Sequence, residues 1–162
     1  MTGDILLSVE NLKVHFPLKR RGLSGPKPFV HAVDGIDLKI TKGKTFGIVG
    51  ESGSGKTTTA LAVMRLVPIT SGSITLGDFC LDQLQGEALR RARRHMQIIF
   101  QDPYSSLNPR VRAGAIVREP MDLMDVGEKS EREDRVVELF RQVGLRPERQ
   151  ALFPHQFSGG QR

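Results

Sequence analysis

Residues Gly50-Glu51-Ser52-Gly53-Ser54-Gly55-Lys56-Thr57 place three glycines, a lysine and three hydroxyl side chains within eight positions. They fit G-x-x-x-x-G-K-[ST], a pattern with a definite physical use. Glycines at Gly50, Gly53 and Gly55 let the backbone turn through positive φ and approach a ligand closely, so that successive N–H groups wrap an anion. Where such a loop opens a helix, the helix dipole favours negative charge. Ser52, Ser54 and Thr58 belong to the same cradle, Lys56 is spaced to reach the outer phosphates of a polyphosphate, and the Thr57 hydroxyl is a ligand for Mg²⁺. An incidental glycine-rich turn leaves the combination of pattern and context unexplained.

That context is a buried strand before the loop and a helix after it. Thr45–Val49 reads as the strand. In the stretch Gly55–Val67, Ala60, Leu61, Met64 and Val67 recur at helical spacing, while Ala62, Val63 and Leu66 make the helix apolar almost all round; Pro68 ends it. Ile5–Phe16 reads as a strand bent near Asn11, and Ile36–Ile40 as a half-buried strand. Pro17–Val30 is a loop rich in Gly, Pro, Lys and Arg. Ser73–Leu76 and Phe79–Leu81, split by Gly77-Asp78, predict a hairpin. Glu87–Arg94 predicts a short basic helix, Met96–Phe100 a buried strand, and 102–110 a loop. A helix around Val111–Met124 is disturbed by Pro120. Glu131–Val143 places Val136, Leu139, Phe140 and Val143 on one face, with Gly144 as its C-terminal cap.

The chain of 162 residues suits one α/β domain, and 38% hydrophobic with 26% charged residues is a globular composition. Collagen-like, disordered and disulfide-framework classes are excluded. The net charge of +6 invites an anionic partner without choosing among nucleic acid, lipid and phosphorylated ligands. Arg90, Arg91, Arg93 and Arg94 read as a solvated helix face rather than a nucleic-acid reader, since no aromatic residues interleave them. His15, His31, His95 and His155 lack metal-ligand spacing. The single Cys80 reads as a small buried residue in a reducing compartment. The N-terminus lacks a basic start, and the longest apolar run, Ala60–Met64, is far below the roughly 18 residues that span a bilayer.

Other motifs narrow the class. No Asp has Gly three positions later and no Asn-Lys-x-Asp occurs, which removes GTPases. Ser158-Gly159-Gly160-Gln161 lies about a hundred residues after the phosphate loop, and with it the sequence resembles the ATP-binding cassette (ABC) ATPases, whose signature is Leu-Ser-Gly-Gly-Gln. Phe157 replaces the usual leucine. Ile98 to Arg110 (IIFQDPYSSLNPR) and Pro154 to Arg162 (PHQFSGGQR) are similar to the ATPases of oligopeptide, dipeptide and nickel importers, as is the long insertion at Pro17–Val30. The likeness runs from about Ile5 to Arg162.

The resemblance implies an α/β P-loop NTPase fold of ABC ATPase type in three parts: an antiparallel β subdomain (about 1–45 and 70–82), a P-loop core (about 45–68 and 95–101) and a helical subdomain (about 102–160). It implies ATP and Mg²⁺ as cofactors, with Phe16 stacked on adenine and Gln101 touching Mg²⁺ and the γ-phosphate. Ser158, Gly159, Gly160 and Gln161 would face the nucleotide of a partner. Implied partners are a second ABC ATPase subunit, two transmembrane permease subunits and, indirectly, an extracytoplasmic solute-binding protein; no nucleic acid is expected. The location implied is the cytoplasmic face of the membrane. The family's catalytic Glu and switch His follow the signature, so the 162 residues read as an N-terminal portion able to bind nucleotide and inactive in hydrolysis. The rival reading of Phe16 is a core strand residue, and Tyr104 reads as a loop-packing residue rather than a contact to the permease. An alternative remains in Asp102, which after Ile98-Ile99-Phe100-Gln101 would serve as the magnesium-side acid of a small-molecule kinase.

Overall fold

Strand β1 (Ile5–Pro17) organises the first half of the molecule. Val9, Leu12 and Val14 are all fully buried, although strict alternation would put Val9 and Leu12 on opposite faces. The parity changes at Asn11, which adopts φ 47° and coincides with a register shift between Val9 and Leu12. This is the bend expected there. The Asn11 N–H donates to Asp37 Oδ1 at 2.8 Å, which holds the irregularity in place. Strand β2 (Phe29–Thr41) runs antiparallel to β1 from Ile5↔Thr41 to Pro17↔Phe29 and is much longer than the Ile36–Ile40 stretch its alternation predicts. On the other edge of β1 lies β3 (Ser71–Leu76), followed by β4 (Phe79–Cys80), giving the order β2-β1-β3-β4. Gly72 has φ 102° and presses on β1, where a Cβ would stand 2.6 Å from the Asn11 carbonyl oxygen.

The computed structural model describes residues 4–19, 27–102 and 106–162. Tyr104 and the centre of the Pro17–Val30 insertion lie outside them. The chain forms two compact units, Met1–Gln97 and Ile98–Arg162. The core of the first comprises Val9, Leu12, Val14, Val33, Ile74, Leu76 and Leu81 from the sheet region, Ala62 from helix α1 (Lys56–Val63) and Ala92 from helix α2 (Gly86–Ala92). Helix α1 is shorter than expected and buries only Thr59 and Ala62. Arg65 turns left-handed at φ 56° just after it, and the Arg93 guanidinium donates to the carbonyls of Met64 and Arg65 at 3.3 and 2.6 Å. Those bonds satisfy carbonyls left over where a helix ends.

Two expected strands are absent. Neither 45–49 nor 96–100 is extended in a sheet; Val49 and Ile99 are both 92% exposed, while Met96 and Ile98 are half-buried. Apolar sequence makes a buried strand only when neighbours supply its backbone hydrogen bonds, and no described strand pairs with either segment. Cys80 is also exposed rather than buried, because β4 turns its neighbour Leu81 into the core.

In the second unit, helices α3 (Ala113–Met124) and α4 (Arg132–Gln142) enclose Val136, Phe140 and Phe157. Helix α3 runs through Pro120 rather than stopping there, forgoing one backbone bond. Gly144 caps the far side of α4 at φ 74° as expected, but Val143 stands exposed instead of sharing the buried face. Arg132 is 3% exposed and donates to Asp122, Asp125 and the carbonyls of Val126 and Gly127, closing the α3–α4 connection.

Candidate functional site

Gly55 is the N-cap of α1, at φ 90°. A Cβ on it would lie 2.3 Å from the Ala32 carbonyl oxygen of β2, so the phosphate loop rests directly on the β1–β2 hairpin, a seat open only to glycine. No side chain caps the start of α1, and its first turn holds no acidic residue. The orphan backbone donors of that turn therefore face outward unneutralised. Lys56 Nζ curls back to donate to the carbonyl oxygens of Gly50 at 2.9 Å and Glu51 at 2.5 Å, and to Ser54 Oγ at 3.4 Å. A cation is thus held inside the loop by two carbonyl oxygens and a hydroxyl, beside a helix start whose backbone donors suit a polyphosphate. Thr57 is exposed and Thr58 half-buried in the same turn, while Ser52 and Gly53 form the exposed outer bend. Beside the loop, Ile36, Leu38, Phe46 and Ile48 line a groove of about 360 Å³ that reaches Lys56.

Phe16 belongs to the same unit. It pairs with Val30 across the hairpin, two residues from the Ala32 contact, and its partly buried ring packs against the sheet core. The strand-packing role is therefore met.

The other expected residues lie in the second unit. Gln101 and Asp102 are exposed near its start. The signature ends the chain as a tight turn, Gly159–Gln161, in which the Gln161 N–H donates to the Ser158 carbonyl at 3.0 Å and the Ser158 N–H reaches Gln161 Oε1 at 3.3 Å. Arg149 Nη1 donates to the same Gln161 oxygen at 2.7 Å. Phe157 is 7% exposed in the core formed by α3 and α4. The larger ring in the leucine position is a buried anchor, and it presents Ser158 to Gln161 outward.

These two glycine-rich loops, each seated on a built support, are matched by what the whole chain resembles. The sequence model of the ABC transporter family matches residues 33–162. The chain belongs to that family. It is 43% identical over 160 residues to the glutathione import ATP-binding protein of Pectobacterium atrosepticum, covering 99% of this chain and 26% of that protein. To a probable peptide ABC transporter ATP-binding protein of Sinorhizobium fredii it is 41% identical, covering 99% and 45%. To the oligopeptide transport ATP-binding protein AppF of Bacillus subtilis it is 39% identical, covering 98% and 49%. Among solved structures, the dimeric post-hydrolysis state of the ATP-binding cassette MJ0796 bound to ADP and Pi superposes with a TM-score of 0.73 at 26% identity, over 96% of this chain and 64% of that one. This ABC chain thus spans between about a quarter and half of the curated relatives it matches. The family match sets aside the small-molecule kinase reading of Asp102.

One cluster in this ABC chain was not legible from spacing. His15, His31 and Asp34 converge on the hairpin, with His15 Nε2 3.1 Å from Asp34 Oδ1 and His31 Nδ1 3.5 Å from Asp34 Oδ2. The His15 imidazole first, then that of His31, holds the Asp34 carboxyl below the usual carboxylate range. Separations of sixteen and three residues gave no ligand pattern, and only the strand register brings the three together.

Proposed function

We propose that this chain binds ATP with Mg²⁺ as the nucleotide-binding portion of an importer's ATP-binding subunit, the solute being a peptide or a related molecule. The start of α1 carries the proposal: an uncapped helix turn on a left-handed glycine, with Lys56 folded into the loop it would share with phosphate. On binding, Lys56 Nζ exchanges the carbonyls of Gly50 and Glu51 for phosphate oxygens, and the N–H groups of the loop take the remaining ones. Thr57 would hold Mg²⁺, Phe16 would offer its ring to adenine, and Ser158 to Gln161 would meet the nucleotide of a second ATPase subunit. The bound triphosphate supplies the phosphoanhydride bond whose hydrolysis powers transport.

The printed names of the relatives, import ATP-binding proteins for glutathione and oligopeptides, support the solute class, and the dimeric cassette supports a paired ATPase. Two permease subunits, a solute-binding protein reached through them, and a place on the cytoplasmic face of the membrane complete the proposal. No helix of the described residues is long and apolar enough to cross a membrane itself.

Calorimetric titration with MgATP tests the reading. Lys56→Ala should weaken binding about 10- to 150-fold, the worth of a charged hydrogen-bonding group, with unchanged circular dichroism. Equal affinity in both proteins refutes the assignment. Residues 1–162 alone should release no phosphate above the Lys56→Ala control, because orienting the attacking water and completing the Mg²⁺ shell need groups beyond a phosphate cradle.

A further inference from the structure

Beyond the bend at Asn11 the β1–β2 pairing shifts register at three further places, one of them between Val14 and His15. Its register runs Lys13↔Asp34, Val14↔Val33 and then His15↔His31, so Ala32 is an extra residue on β2. Side chains alternate between the faces of a strand. Without the bulge, His31 would share the inner face with Val33, and Asp34 would stand opposite. With it, Lys13, His15, His31 and Asp34 occupy one face, since a bulge re-aims the side chains beyond it. The two imidazoles stack with centroids 3.9 Å apart and planes at 14°. One ligand atom from each of His15, His31 and Asp34 lies within 4.8 Å of the other two.

We propose that His15, His31 and Asp34 form a binding site for one divalent transition-metal ion, with Zn²⁺ as the reference ion. Tetrahedral zinc with bonds of 2.0–2.1 Å sets its ligand atoms about 3.3 Å apart; His15 Nε2 stands 3.1 Å from Asp34 Oδ1 and His31 Nδ1 3.5 Å from Oδ2, so each imidazole is near that spacing from one carboxylate oxygen, and a single oxygen shared by both keeps the set within 4.8 Å. Two imidazoles and one carboxylate suit zinc, copper or nickel and discriminate against magnesium, which prefers an all-oxygen shell. The His15 backbone is fixed by its N–H bond to Thr70 Oγ1 at 2.8 Å, so this ligand is partly preorganised. His31 and Asp34 are about half exposed, which leaves an entry path and a fourth position for water. Capture requires the stacked rings to turn toward a common point. It also displaces Lys13 Nζ, 3.8 Å from Asp34 Oδ1, as the countercharge of the carboxylate. The site shares no residue with the phosphate loop, yet the bulged residue Ala32 is the one on which Gly55 rests.

The test is a titration of the intact, tag-free protein with Zn²⁺ at neutral pH, with and without millimolar Mg²⁺, followed by electron paramagnetic resonance of the Cu²⁺-loaded protein. The expected result is one ion per chain, indifferent to Mg²⁺, with two imidazole nitrogens on copper. His31→Gln should weaken Zn²⁺ binding by about tenfold or more and remove one nitrogen from the copper spectrum, whereas His155→Gln should change neither. Unaltered binding in His31→Gln, loss of binding in His155→Gln, or equal competition by Mg²⁺ overturns the proposal. Should His31→Gln fail to fold, the copper spectrum of the unsubstituted protein decides, and fewer than two imidazole nitrogens overturns it.

Discussion

Residues 50–57 and 158–161 are both short, polar and glycine-rich, yet they are held in opposite ways. The phosphate loop is positioned by what is missing: Gly55 lets it settle onto the Ala32 carbonyl, closer than any side chain would permit. The signature turn is positioned by what is present, a buried Phe157 beneath it and Arg149 gripping Gln161. Glycine count says nothing about this difference. What matters is whether each glycine faces backbone or open space.

Gly55→Ala should break the comparison most strongly. It adds a Cβ against Ala32 and forces alanine into φ 90°, so the first unit should lose about 3 kcal/mol or more, read by chemical denaturation, and MgATP binding should vanish with it. Phe157→Ala comes next. Removing a buried ring costs about 3–5 kcal/mol, and the loss should appear in the second unit's thermal transition, while Phe157→Leu should cost less than about 1.5 kcal/mol. Gly160→Ala is the counterpart of the first test. No atom lies within 4 Å of a Cβ there and its φ is ordinary, so stability should stay within about 0.5 kcal/mol. A large loss would show that the turn is held by glycine after all.

Acid should separate the units most gently. Glu87 on α2 is held at about 2 by its bonds to Arg90, well below its ordinary 4.5. A carboxylate whose pKa is lowered in the folded state stabilises above the ordinary value, and the contribution fades as pH falls through the lowered one. Helical circular dichroism should therefore hold through pH 4.5 and slip slightly toward pH 2, and Glu87→Gln should remove that dependence. Asp122, lowered chiefly by its bond to Arg132, should add an acid response of the same sign in the second unit.

Local chemistry was legible in the sequence wherever the partner was near in the chain or the pattern was self-sufficient. The bend at Asn11, the β3–β4 hairpin, the buried face of α4 around Val136 and Phe140, and the phosphate loop all satisfy that condition. The segments 45–49 and 96–100 failed it: their composition fits a core strand, but a strand exists through its neighbours, and none of the described strands serves them. Helix α1 ends early because Arg65 takes a left-handed turn stabilised by Arg93, a residue too distant in sequence to register in a helical pattern. His15 and His31 stayed hidden for the same reason, since a one-residue bulge at Ala32 decides which face His31 occupies.

The strand order also sets a timetable for the chain as it leaves the ribosome. Strands β1 and β2 are sequence neighbours and can close as a hairpin early, creating the Ala32 seat before the phosphate loop has been made. The opposite edge of β1 must wait for β3, which pairs Leu7 with Leu76. Distant pairings form slowly because a long loop has to be closed first. The phosphate loop and α1, which lie between β2 and β3 in the chain, are therefore synthesised while half of the sheet beneath them is still open.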